Sequence, residues 1–191
     1  MDSKLLKRTL LIVTGLFLQN NVNAQMYVSP NSYVFANNQV VFVKQQLELN
    51  AASSNFYLRT DAQLVQGATS GSANKGLGSL SVFQEGTTNN YQFDYWCSPV
   101  GGSNAIAGNS AFGITQLKDI VDVTNSANST PLAMNNYDGT ASPFAIAPYW
   151  IYKLTASSNY SDWIQVGSTS NINAGEGFTM KGSSGTNLTT I

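Results

Sequence analysis

Helical periodicity is almost absent from this sequence, and nothing else in it narrows the fold so far. Apolar residues come in short alternating runs, rich in β-branched and aromatic side chains and cut by Asn, Ser, Gly and Pro. That is the pattern of half-buried strands joined by turns. The clearest runs cover 40–44, 47–49, 56–59, 63–66, 80–84, 91–98, 149–154, 163–166 and 177–181. Only 115–123 offers a helix, with Leu117, Ile120 and Val121 at i, i+3 and i+4; its Val-Asp-Val-Thr stretch suits a strand equally. The expected class is all-β.

A rhythm runs through the first part. Strand-like centres fall at Tyr27, Val34, Val41, Glu48, Tyr57 and Leu64, most of them about seven residues apart, so three steps make a unit in the low twenties. On that period 33–38 resembles 56–61, and 40–42 resembles 63–65. Two folds fit: a short parallel solenoid, with three strands and three polar corners per coil, or an antiparallel meander with strands of similar length. A Gly/Ser-rich stretch at 67–78 interrupts the rhythm, and a boundary is expected near 86–90. The expected organisation is a leader over 1–24, a solenoid-like or meander region over 25–86, and a β-sandwich or jelly-roll-like region over 87–191, incomplete at its carboxyl end. Long polar loops at 98–110 and 125–142 separate the later strands.

The leader has three parts. Lys4, Lys7 and Arg8 supply positive charge, residues 9–18 are largely apolar and uncharged, and Val22 and Ala24 are small residues at −3 and −1 of a cleavage site before Gln25. The apolar run is about half the ~20 residues a spanning helix needs. A secretory signal cut between Ala24 and Gln25 is therefore expected, and the product is expected to be secreted or held at the cell surface. No second long apolar run follows, so no membrane span is expected in the mature chain. No Cys follows the cut that could take a lipid.

Charge and residue types exclude several chemistries. Beyond the leader, six basic residues face nine acidic ones, a balance that does not attract nucleic acid. Only 10% of the chain is charged, while 11% is aromatic; disorder needs the reverse. With no His and one Cys, the chain lacks Ser–His and Cys–His nucleophile pairs and the usual zinc ligands. No phosphate-cradling glycine motif is present, and Gly175-Glu176-Gly177 reads as a tight turn. No cofactor, metal or catalytic site is expected. Cys97 cannot form an intrachain disulfide; it is read as a buried thiol, with an intermolecular bridge or a nucleophile as the other readings.

Carboxylates and aromatics remain. Glu85, Asp94, Asp119, Asp122, Asp138, Asp162 and Glu176 could supply the two carboxyls of a glycosidase, but no spacing singles out a pair. Residues 135–139 offer oxygen ligands without calcium-loop spacing, and Asp138-Gly139 is a turn pair. Alternation sets Tyr91, Phe93, Tyr95 and Cys97 on one face of a strand and Gln92, Asp94 and Trp96 on the other. Trp150, Tyr152 and Leu154 share a face, and Trp163 stands on a third strand. Such rings are core, or they form a platform for sugar. Trp96, on the polar-flanked face, is the expected glycan contact. Asn128, Asn159 and Asn187 each open an Asn-x-Ser/Thr triplet.

Three strings point to a family: residues 56–67 (FYLRTDAQLVQG), 95–101 (YWCSPVG) and 173–182 (NAGEGFTMKG), with Asp138-Gly139 and Tyr149-Trp150 between them. In this order they resemble the amino-terminal region of large secreted Bacteroidota proteins that typically end in a type IX secretion sorting domain. The resemblance implies a cell-surface or adhesin-like role and brings no catalytic residues. No sorting domain occurs in these 191 residues, so they are expected to be a fragment. The leading expectation is thus an exported, non-enzymatic surface or extracellular protein with a structural or adhesive role. The other is a protein that binds or hydrolyses polysaccharide. Extracellular glycans or other surface proteins are the expected partners.

Overall fold

The computed structural model describes residues 25–67, 74–97, 112–156, 158–173 and 175–183. The leader with Ala24, the loop 98–110 and Asn187 lie outside the described residues; Gln25, exposed, opens them. All regular structure here is strand, apart from 3₁₀ turns at Ile114–Gln116, Pro148–Trp150 and Tyr160–Asp162. The protein is all-β.

The first half is the parallel solenoid. One coil comprises β1 (Met26–Val28), β2 (Tyr33–Asn37) and β3 (Val40–Val43); the next, β4 (Leu47–Leu49), β5 (Asn55–Arg59) and β6 (Gln63–Gln66); the last described, β7 (Lys75–Gly76) and β8 (Ser79–Val82). Each strand pairs in parallel with its counterpart one coil on, giving the stacks β1-β4-β7, β2-β5-β8 and β3-β6. Alternation sends Val28, Ala36, Leu47, Leu49, Phe56 and Leu58 into a common core. Phe56 is fully buried, a burial that favours the fold by about 2–3 kcal/mol.

The corners set the register. Between β1 and β2 the first coil uses 29–32 where the second uses 50–54; between β2 and β3 it uses 38–39 where the second uses 60–62. Both of these corners are one residue longer in the second coil, so the spacing between partners grows face by face. Val40 pairs with Gln63, as the sequence repeat expects. On the preceding face Tyr33 pairs with Asn55 and Val34 with Phe56, one residue from the expected alignment of 33–38 with 56–61. That alignment would stack outward Tyr33 on inward Phe56, which a pleated wall does not allow. Asn31, Asn38 and Thr60 take left-handed φ at corners, and Thr60 Oγ1 donates to Asn37 Oδ1 across two coils (2.8 Å).

The second half builds a separate core. An antiparallel sheet runs in the order β16 (Trp163–Gln165), β15 (Tyr152–Leu154), β17 (Gly177–Lys181), β9 (Phe93–Cys97). A mixed sheet has β14 (Phe144–Ile146) between β12 (Thr130–Pro131) and β13 (Thr140–Ala141). One cluster joins them: Phe144 and Ile146 from the mixed sheet, Phe178 and Met180 from β17, with Ile114, Leu117, Ile151, Val166 and Ile172.

Residues 115–123 do not form the candidate helix. After the 3₁₀ turn, β10 (Lys118–Ile120) pairs with β11 (Ser126–Asn128) as a hairpin. Asp122 decides it: its Oδ1 accepts from the backbone N–H groups of Thr124 (2.8 Å) and Asn125 (2.9 Å), offering the chain a turn in place of another helical turn.

Candidate functional site

The four-stranded sheet has one face on the core and one open. On the core side, β17 contributes Phe178 and Met180, opposite Trp96 and Asp94 of β9. On the open side, strand pairing aligns the side chains in rows. Tyr95, Thr179, Tyr152 and Gln165 form one row; Cys97 and Gly177 begin another, and Leu154 lies beside Trp163. Phe93 pairs with Lys181 at the third level.

This face is a shallow trough. Its floor is β17, which presents only Gly177 and the buried Thr179 along most of its length. Its walls are Phe93 and Tyr95 on one side and Tyr152, Leu154 and Trp163 on the other. β9 and β15 flank β17, so the walls stand roughly 10 Å apart, two strand spacings. Tyr95 is 78% exposed. The Thr179 hydroxyl is engaged with β15, accepting from the N–H of Tyr152 (3.2 Å).

One end of the trough is closed by an aromatic box. Trp150 meets Phe93 edge-on at 6.0 Å, Tyr149 at 4.7 Å and Tyr137 at 6.3 Å between ring centroids. Its indole N–H donates to the Tyr137 carbonyl (2.8 Å). The Lys181 ammonium lies 4.9 Å from the Trp150 ring centroid and pairs with Asp138 at 2.9 Å, joining a cation–π contact to an ion pair. The hydrogen bond from Lys181 holds the Asp138 carboxyl below its ordinary value. Asp138-Gly139, expected as a turn pair, instead runs irregularly into β13 and is anchored by Lys181; the turn of this segment falls at Met134–Asn135.

Trp96 is not on this surface. The strand alternates as expected, with Trp96 opposite Tyr95, but the polar-flanked face is the inner one. Asp94 on that face accepts from Thr88 Oγ1 (2.7 Å), so its polarity is satisfied locally and does not mark a wet surface. Trp96 is half-buried against the core cluster, and its indole N–H meets no acceptor among the described residues. Cys97, expected buried, is exposed because it shares the uncovered face with Tyr95. The pattern that locates the trough is the alternation of Gly177, Thr179 and Lys181 with apolar Phe178 and Met180.

The other carboxylates hold turns and loops together. Asp119 Oδ2 accepts from the Phe144 N–H (2.9 Å). Asp162 accepts from the N–H groups of Ser158 and Asn159. Glu176 pairs with Lys153 (3.1 Å) and accepts from the Asn173 N–H, shaping the expected turn, where Gly175 takes a left-handed φ. Glu85 is exposed. Among the described residues no group of three His, Cys, Asp or Glu side chains is placed to hold a metal ion. No helix there is long and apolar enough to cross a membrane. Comparison with protein-family models, curated proteins and solved structures finds no match to this chain.

Proposed function

We propose that this is an exported, non-enzymatic protein of the cell surface or extracellular space, and that it adheres through the open aromatic trough of its four-stranded sheet. The observation that carries the reading is the trough itself: rings on both walls, a floor of small residues, and a ring box around Trp150 with Lys181 against it. Aromatic walls bury large area on contact at little entropic cost, which suits adhesion. The three-part leader supports export, and the resemblance to secreted Bacteroidota proteins supports a place at the outer surface.

The trough also favours a second reading, carbohydrate binding. Sugar rings stack on exposed Tyr and Trp, and the width of the trough suits one extended glycan strand. Hydrolysis is the weaker half of that reading, since it needs two carboxyls facing each other across a sugar, and most of the candidates are tied into turns.

A panel of surface proteins and glycans separates the two. Adhesion to protein ligands that is lost in Tyr95→Ala supports the first reading. Saturable glycan binding lost in the same variant supports the second. Binding unchanged by Tyr95→Ala and Phe93→Ala removes the trough from both.

A further inference from the structure

The solenoid ends in an uncovered coil. β1, β2 and β3 each stand first in their stacks, so among the described residues each leaves one backbone edge without a strand partner. The core is only partly covered there: Met26, Val34 and Val41 are half-buried, with Leu47 and Phe56 buried directly beneath the first two, although Val28, Ala36 and Val43 of the same coil are buried. The outward side chains Tyr27, Tyr33, Phe35, Val40 and Phe42 are exposed. Edge strands are ordinarily protected by charge, Pro or a bulge, and terminal coils by a polar cap. Among the described residues this coil has no cap and no bulge, and its strands carry neither charge nor Pro. Residues 25–43 contain no Asp, Glu, Lys or Arg, and the only Pro is Pro30, at a corner.

We infer that this end is an interface, and that its occupant is the same end of a second copy of the chain. The occupant must pair three strand edges set around one core and cover Met26, Val34 and Val41 between them. A single added strand serves one edge, whereas a second coil of the same cross-section serves all three. Symmetry permits the match. A two-fold axis through the middle of β2, at Phe35, sets β2 antiparallel to its own copy. The same axis lays β1, of three residues, against the β3 of the copy, of four. Inward positions then meet inward positions, because the pleat alternates identically on both sides. The strands β1, β2 and β3 carry no charged side chain to face its like across the axis; the nearest charge, the exposed Lys44, sits at the corner opposite β2. The inference rests on the export reading in one respect: after cleavage at Ala24 only Gln25 precedes β1, leaving no upstream segment to fill the end.

The test uses the exported, processed protein, with its amino terminus and its solution mass measured separately. The expected result is an amino terminus at Gln25 and twice the chain mass across the micromolar range. Phe35→Lys and Phe42→Lys, each placing a charge near the axis or edge, should halve that mass with an unchanged far-ultraviolet spectrum. Should the charged variants misfold, Phe35→Cys in a Cys97→Ser background gives a second measurement. Copper-phenanthroline oxidation should link it into a covalent dimer, while Tyr137→Cys in the same background stays unlinked. A monomer with Gln25 at its terminus, a dimer indifferent to both charges and unlinked at Phe35→Cys, or an open-ended filament would each overturn the interface. A terminus upstream of Gln25 overturns the cleavage instead, and with a monomeric mass it names the retained leader as the occupant.

Discussion

The guanidinium of Arg59 donates a 2.6 Å hydrogen bond from Nε to the main-chain carbonyl of Val123, tying the coil region to the hairpin turn of the second half. Arg59 is only 3% exposed, yet its partners are neutral: Nη1 donates to the carbonyls of Leu58 and Ser81, and Nη2 to the Ser81 hydroxyl. Phe83 lies under the guanidinium at 3.7 Å and Tyr57 at 4.9 Å. Burial lowers its pKa, the effect of desolvating a charge. Arg59→Met is expected to cost about 2–3 kcal/mol, chiefly by stranding the Val123 and Ser81 carbonyls. Arg59→Lys should cost nearly as much, because one ammonium does not reproduce the planar fork. Urea unfolding followed by tryptophan emission checks this and more. Trp96, Trp150 and Trp163 all lie in the second half, so a midpoint shift at Arg59, in the first half, measures the coupling of the halves.

Asp122 gives a prediction in pH. Hydrogen bonds, first from the Asn125 side chain and then from the Thr124 backbone, lower its pKa to about 2. The folded value lies below the ordinary one near 4. Its contribution is therefore present above about pH 4 and lost as pH falls through about 2. Carbon-detected titration of the carboxyl should show the depressed midpoint, and Asn125→Ala should move it upward. A midpoint near 4 in the unmodified protein would contradict the turn geometry.

Trp96 and Tyr95 are adjacent and should behave oppositely. Trp96→Ala opens space against Ile114 and its neighbours and is expected to cost about 3 kcal/mol. Tyr95→Ala should stay within about 0.5 kcal/mol of the parent, since its ring is exposed. Paired thermal melts check the contrast; equal losses would mean the open face is covered.

In the solenoid the inner wall should be unforgiving and the outer one tolerant. Phe56→Ala is expected to cost about 3–5 kcal/mol. Gly78→Ala should also destabilise, because a Cβ there would run into the Ser54 carbonyl. Leu77→Lys, at a 73% exposed position, should be nearly silent. Urea midpoints for the three variants test the order.

Much of this fold was legible in the residues, and the failures share a cause. The all-β class and the turn at Gly175 follow from local alternation and turn chemistry. So does the repeat of 40–42 at 63–65. Most of the misreadings turned on what lies beyond the segment. The slip between β2 and β5 came from a corner length, visible only once the coils stack. The helix over 115–123 yielded to the side chain of Asp122. The misplacement of Trp96 came from taking Asp94 as a mark of solvent, when Thr88 satisfies it inside. Cys97 looked buried because its strand is apolar, although its neighbours on that face are the exposed rings. Alternation says which residues share a face; the sheet's packing decides which face is dry.

The lengthening corners carry a last consequence. Because each wall of the coil re-establishes its own stacking after a corner of different length, the shaft works like a ratchet that corrects counting errors at every bend. An extra residue between Gln39 and Val40 would be absorbed before the next wall begins, while one inside β5 would turn Leu58 outward. Evolution can therefore lengthen the bends of such a shaft freely, adding bulk or new surface at its edges, while the straight walls stay under strict length control.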